Sequence, residues 1–123
     1  MGALEERFEV FLPQRDGGVL TDIVKEGLDL QEARERLFKA DTDAIIACDV
    51  LVIVLDGRTV DEGAAFELGF AHAIGKTCVG IQTDTRRLLP LGNNLMIEQA
   101  LLRIEPSVDD LVRLLSELAH PPR

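Results

Sequence analysis

Residues 49–57 read DVLVIVLDG, and the six apolar residues from Val50 to Leu55 decide the fold. They do not alternate with polar residues, so a strand made from them is apolar on both faces. Such a strand has to be covered from both sides, as in a parallel α/β sheet. It ends at Asp56-Gly57. Residues 62–74 then carry a helical pattern, with Gly75 as the expected left-handed cap and Lys76 beside the negative end of the helix dipole. Residues 77–82 (TCVGIQ) make the next strand, followed by a loop over 83–94, a short helix over 95–101 and a last short strand over 102–104. Pro106-Ser107 opens the final helix, whose apolar stripe is read as Val108, Leu111, Val112, Leu115, Leu118 and Ala119.

Toward the N-terminus, residues 8–12 (FEVFL) form a short strand closed by Pro13 and the turn-rich QRDGG of 14–18. A polar helix follows over about 30–40, with Ala33, Leu37 and Ala40 at helical spacing. Asp41-Thr42-Asp43 reads as an N-cap cluster opening a second short helix over 44–48. Strands alternating with helices predict a doubly wound α/β domain. Ligands of such sheets bind outside the carboxyl ends of the strands, so the loops after Leu12, Leu55 and Gln82 mark the expected active face.

The 123 residues suit one domain, 1–123. With 46% hydrophobic and 28% charged residues the chain is globular rather than disordered. A net charge of −9 repels phosphate backbones and argues against a polymeric nucleic-acid partner. No apolar run approaches the roughly 18 residues of a membrane span, and the N-terminus lacks a basic-then-apolar leader, so no membrane partner is expected. Cys48 and Cys78 have neither the number nor the spacing of a disulfide framework or zinc site, which suits a reducing cytoplasm.

The helix over 61–76, DEGAAFELGFAHAIGK, carries a carboxylate where none is expected. The helical neighbours of Glu67 are Gly63, Ala64, Phe70, Ala71 and Ile74, none of them polar. Gly63 and Gly69 allow something to approach the backbone closely. Burying a carboxylate is costly unless it is paired, and carboxylates with perturbed surroundings beside a cleft are functional candidates. The alternative is an edge-of-stripe Glu67 whose head reaches water.

Asp41, Asp56, Asp61 and Glu62 gather near the carboxyl end of the same strand. Taken singly, Asp41 and Asp61 read as helix caps, and Asp56 as a residue bonding its own turn. Asp61 and Glu67 are six residues apart, roughly 9 Å along a helix axis. Two carboxylates in different environments can divide nucleophile and acid roles, as in glycosidic bond cleavage. Metal binding is the rival use of clustered acids, but Mg²⁺ generally works with a phosphate partner, and no glycine-rich phosphate loop is present. No metal or cofactor is expected.

The run from Phe38 to Lys76, FKADTDAIIACDVLVIVLDGRTVDEGAAFELGFAHAIGK, together with Asn94-Leu95-Met96-Ile97 (NLMI), resembles the nucleoside 2-deoxyribosyltransferase family. The carrying residues are Asp61, Gly63, Ala64, the Phe66-Glu67-Leu68-Gly69 segment and Gly75-Lys76. The resemblance implies a flavodoxin-like parallel sheet of order 2-1-3-4-5 flanked by helices. It implies that Glu67 is the nucleophile that attacks C1′ of a 2′-deoxynucleoside, that Asp61 assists protonation of the leaving base, and that Asp41 orients nucleophile and base. Asp56, Gly63, Asn94 and Met96 are then expected to bind substrate, with Asn94 delivered by a neighbouring subunit of a homodimer or larger assembly. The implied partners are a nucleoside or nucleotide and a free nucleobase, as in nucleotide salvage. Hydrolysis of nucleosides or nucleoside 5′-monophosphates by the same glutamate is the alternative, and a non-catalytic nucleotide-binding or interaction domain is a further one. The family's opening strand, with its Tyr or Phe and Ala-Gly-Pro-like turn, has no counterpart here. Residues 4–7 read as the end of a first helix and 8–12 as the family's second strand, so a strand is expected to be lacking between 8–12 and the central strand.

His72 reads as a partly exposed helix residue, and His120 as part of a frayed tail. Both cysteines read as buried structural thiols. Arg15 and Asp16 lie on a turn at the active face, and Arg86-Arg87 lies in the loop after the 77–82 strand. Arg15 and Asp16 are weak substrate candidates and Arg86-Arg87 could receive a 5′-phosphate, but a solvated surface position is the preferred reading for all four.

Overall fold

A computed structural model of the chain describes residues 8–13, 29–56, 60–84 and 94–121. The expectations for residues 4–7, Arg15, Asp16 and Arg86-Arg87 lie outside these residues. Four strands, β1 (Val10–Phe11), β2 (Val50–Val54), β3 (Thr77–Ile81) and β4 (Ile104–Glu105), form one parallel sheet in the order β1-β2-β3-β4. The helices are α1 (Leu30–Ala47), α2 (Glu62–Ala73), α3 (Leu95–Gln99) and α4 (Val108–Ala119).

β2 is covered from both sides, as its unbroken apolar run requires. Leu51, Ile53 and Leu55 point to one face and pack with Ile45 of α1 and with Ala64, Leu68 and Ala71 of α2; Ile97 of α3 joins them at the edge. Val50 and Val52 point to the other face, where Val79, Ile81 and Leu114 of α4 complete a second core. Right-handed crossovers between strands laid down in sequence order put the connecting helices α1, α2 and α3 on one face. α4 follows the last strand and covers the opposite one.

Among the described residues the order is that of 2-1-3-4-5 with one strand fewer. Val10 pairs with Val50 and Phe11 with Leu51, so β1 lies directly against β2, and among the described residues no strand sits between them. The Asp49 carboxylate fastens this junction by accepting from the Glu9 N–H at 2.8 Å, while the Asp49 N–H donates to the Glu9 carbonyl at 2.8 Å. The expected vacancy beside the central strand is therefore closed by direct pairing.

Two local readings are also corrected. The segment Leu30–Ala47 is one 18-residue helix, and Asp41-Thr42-Asp43 lies inside it rather than capping a second one. The Thr42 hydroxyl donates back to the Phe38 and Lys39 carbonyls, and Asp43 pairs with Lys39 at 2.7 Å, so these side chains serve a continuing helix. The actual cap is Asp29, which accepts from the Glu32 N–H and is followed three residues on by that glutamate, the spacing of a capping box. In α4 the buried residue is Leu114, while Val108 and Val112 of the expected stripe are exposed.

The end of α2 follows expectation. Gly75 has a φ of 83°, its N–H donates to the His72 carbonyl and the Lys76 N–H to the Ala71 carbonyl, the paired bonds of a Schellman motif.

Candidate active site

Residues 31–42 of α1 and the N-terminal half of α2 line a cleft of about 680 Å³. α1 contributes Arg34, Leu37, Phe38, Asp41 and Thr42, and α2 with its cap contributes Asp61, Gly63, Phe66 and Glu67. The three carboxylates assigned to catalysis thus line one cavity. Their convergence depends on α1 being unbroken: a helix that restarted at Asp41 would turn this residue toward the backbone it caps.

Each carboxylate is held differently. Asp61 caps α2, its Oδ2 accepting from the Ala64 N–H at 3.0 Å. Gly63 makes room for that carboxylate, since a Cβ there would stand 3.2 Å from Asp61 Oδ2. The close approach signalled by this glycine is therefore made by the cap itself, whereas at Gly69 a Cβ would meet nothing within 4 Å. Glu67 is half-buried one and a half turns further along α2, between the buried Ala64 and Ala71 on its own helix and the cleft. Asp41 and Thr42 of α1, also half-buried, line the same cleft. Phe38 and Phe66 form the apolar wall, with ring centroids 6.2 Å apart at 45°. Both rings are more than half exposed, so the wall is open to a ligand.

Asp56, Asn94 and Met96 do not line this cleft. Asp56 accepts three hydrogen bonds, from the Thr83 N–H, the Thr83 hydroxyl and the Asp84 N–H, all at 2.8 Å. It ties the end of β2 to the residues after β3. The Asp84 N–H and the two Thr83 donors outweigh partial desolvation and hold its carboxyl below the usual aspartate range. Asn94 caps α3, its Oδ1 accepting from Met96 N–H at 2.8 Å and Ile97 N–H at 3.4 Å.

The residues that sequence reasoning missed are on α1. Gln31, Arg34 and Glu35 line the outer part of the cleft. Their signal was positional: 31, 34, 38, 41 and 42 follow the helical repeat, provided the helix is read through Asp41. Cys48 and Cys78 are buried and free, burial raising the Cys48 thiol and pushing Cys78 up to about 11. His72 is exposed. Among the described residues no group of three or more His, Cys, Asp or Glu is gathered to hold a metal ion, and no helix is long and apolar enough to cross a membrane.

The sequence model of the nucleoside 2-deoxyribosyltransferase family matches residues 3–106, most of the chain. The chain belongs to this family. Solved structures agree on the fold. A conserved protein from Enterococcus faecalis V583 superimposes with a TM-score of 0.67 at 20% identity, over 90% of this chain and 98% of its own. A 2-desoxiribosyltransferase from Leishmania mexicana gives 0.60 at 20%, over 94% and 100%. The CMP N-glycosidase of Clostridium botulinum gives 0.53 at 22%, over 87% and 97%. No curated protein matches the chain in sequence. Family membership supports glycosyl transfer or hydrolysis on nucleosides, as small molecules, as the class of reaction.

Proposed function

We propose that the chain cleaves the N-glycosidic bond of 2′-deoxynucleosides and passes the deoxyribosyl group to another nucleobase. The carrying observation is that Glu67, Asp61 and Asp41 line one cleft with an aromatic wall. The Glu67 carboxylate attacks C1′; the C1′–N bond breaks, its electron pair leaves with the base, and a proton from Asp61 neutralises that base. The Ala64 N–H engages Oδ2 of Asp61, leaving the second oxygen to exchange the proton. Asp41, across the cleft on α1, orients Glu67 and the base. A nitrogen of the incoming base then attacks C1′, breaks the ester bond to release the glutamate, and gives its proton back to Asp61. Splitting the displacement in two lowers each barrier, and the apolar wall disfavours water as acceptor. Where water takes that place, the same steps end in free sugar.

Gly63 and Asp56 serve this reading indirectly, through the Asp61 cap and the β2–β3 tie. Asn94 and Met96 are assigned to the cleft of a neighbouring copy in a homodimer or larger assembly. They do not line the cleft of their own chain, and Leu95 and Met96 are 68% and 74% exposed on the first turn of α3. The two free cysteines suit a reducing compartment such as the cytoplasm.

The test is incubation with a 2′-deoxynucleoside and a foreign base. Exchanged nucleoside supports transfer, and free sugar alone means hydrolysis. Glu67→Ala is expected to abolish either product; wild-type turnover by that variant removes Glu67 from the mechanism.

A further inference from the structure

Two residues of α1 that the mechanism does not use, Arg34 and Glu35, line the outer part of the cleft. Glu35 shares one row of the helix with Gln31, Phe38 and Thr42, and all of these line the cavity. Arg34 shares the adjoining row with Leu37, Phe38 and Asp41, which line it too. Phe38 belongs to both rows, so a guanidinium and a carboxylate flank one exposed ring. Consecutive helical residues are turned about 100° apart and do not face each other. Arg34 and Glu35 therefore present a donor group and an acceptor group side by side. Gln31 steadies the acceptor, its Nε2 donating to Glu35 Oε2 at 3.4 Å.

Their depth is set by the helix. Glu35 precedes Asp41 by six residues, about 9 Å along the axis, with Phe38 midway. Its side chain leans further toward the helix N-terminus, away from the reacting carboxylates. With C1′ at Glu67, the attached base stacks on Phe38 and Phe66 and turns its far edge toward Arg34 and Glu35. The heterocycle and one hydrogen bond of about 3 Å bridge that gap. An ionised carboxylate only accepts, and a guanidinium only donates. The edge they fit carries an amino group beside a bare ring nitrogen, and adenine and cytosine share it. Hypoxanthine and uracil invert it, with a carbonyl in place of the amino group and an N–H in place of the bare nitrogen. The inverted edge sets acceptor against carboxylate and donor against guanidinium, a mismatch that makes hydrogen-bonding sites selective.

We propose that Glu35 and Arg34 read the edge shared by adenine and cytosine, and that they set a preference of the cleft for amino bases over their oxo counterparts. This rests on the reading of the cleft as an N-glycosidic site, and it adds a base selectivity that the reacting carboxylates do not supply.

The experiment compares nucleosides that differ only at that edge: 2′-deoxyadenosine against 2′-deoxyinosine, and 2′-deoxycytidine against 2′-deoxyuridine. Dissociation constants are measured calorimetrically on the full chain carrying Glu67→Ala, and kcat/KM on the unmodified chain. The amino member of each pair is expected to be favoured at least about tenfold, the low end for a hydrogen bond to a charged group. Adding Glu35→Gln, whose carboxamide can turn an N–H toward a carbonyl, is expected to bring both ratios close to one. Arg34→Gln keeps a donor without the charge and narrows them. Asp43→Asn, which removes an α1 carboxylate tied to Lys39, leaves them unchanged. Equal affinities, a preference for the oxo members, or a preference that survives Glu35→Gln overturns the assignment, and failure of all four to bind removes the nucleoside reading with it. Base release at equal kcat/KM within each pair sinks this proposal alone. A preference removed by Glu35→Gln without base release sinks the catalytic reading and leaves Glu35 as the base-reading residue.

Discussion

Replacing Asp56 by Ala tests how the carboxyl edge of the sheet is held together. The carboxylate accepts three bonds at 2.8 Å, two from backbone N–H groups of residues 83 and 84 and one from the Thr83 hydroxyl. Hydrogen bonds to a charged acceptor contribute about 1.5–3 kcal/mol each where they are shielded, but Asp56 is only half-buried, and water re-solvates the orphaned donors. The expected loss for the whole cluster is therefore about 1–2 kcal/mol, a fall in Tm of about 3–10 °C for a domain of this size. The pH dependence separates this cause from a general loosening. The folded-state carboxyl is held below its ordinary value, so the stabilisation is fully present above the unfolded-state pKa of about 3.9 and is lost as pH falls through the folded value. Urea titrations of the wild type and Asp56→Ala are expected to show a constant gap between pH 5 and 7 that narrows toward pH 3. Asp56→Asn, which keeps an acceptor oxygen but no charge, falls between the two. A gap that persists undiminished at pH 3, or no gap at pH 7, refutes the tie.

Two further outcomes follow from the core. Gly80 of β3 lies under Leu101 and Leu55, whose Cδ1 atoms would stand 3.0 and 3.1 Å from an added Cβ. Gly80→Val is expected to cost about 1–3 kcal/mol in urea unfolding by overpacking the face that supports α3, and a neutral result would mean that these leucine ends swing aside freely. Cys78, buried and pushed up to about 11, is expected to resist thiol reagents at pH 8 in the folded protein and to react quickly once unfolded. Labelling of the native protein at the rate of a free thiol contradicts that burial.

The site was legible in the sequence to the extent that it departs from local rules. A glutamate whose helical neighbours are all apolar is anomalous on one helix, and the anomaly stands whatever that helix packs against. Asp61 was legible both as cap and as candidate acid, and its cap bond to the Ala64 N–H is present while it lines the cleft. Asp41 was picked out among the clustered acids, with its role implied by family resemblance, but placed on the wrong element. An Asp-Thr-Asp triplet has the composition of a cap, and only the side-chain bonds within the continuing helix decide against it. That Gln31, Arg34 and Glu35 line the cleft was invisible for a related reason. α1 buries only Ala33 and Ile45, so its apolar periodicity is too weak to say which polar residues face the cleft.

By itself the sequence determined that a doubly covered parallel sheet is built around 50–55, that a helix and a further strand follow it, and that Glu67 is out of place on that helix. These are properties of neighbouring residues, set by backbone geometry and the cost of exposing apolar side chains. The tertiary structure decided the strand order, the unbroken α1 and the meeting of two helices around one cavity. Those depend on pairings between distant segments, Val10 with Val50 and Phe38 with Phe66 among them. No local pattern encodes such pairings, because many alternative partners satisfy the same hydrogen bonds and bury the same surface.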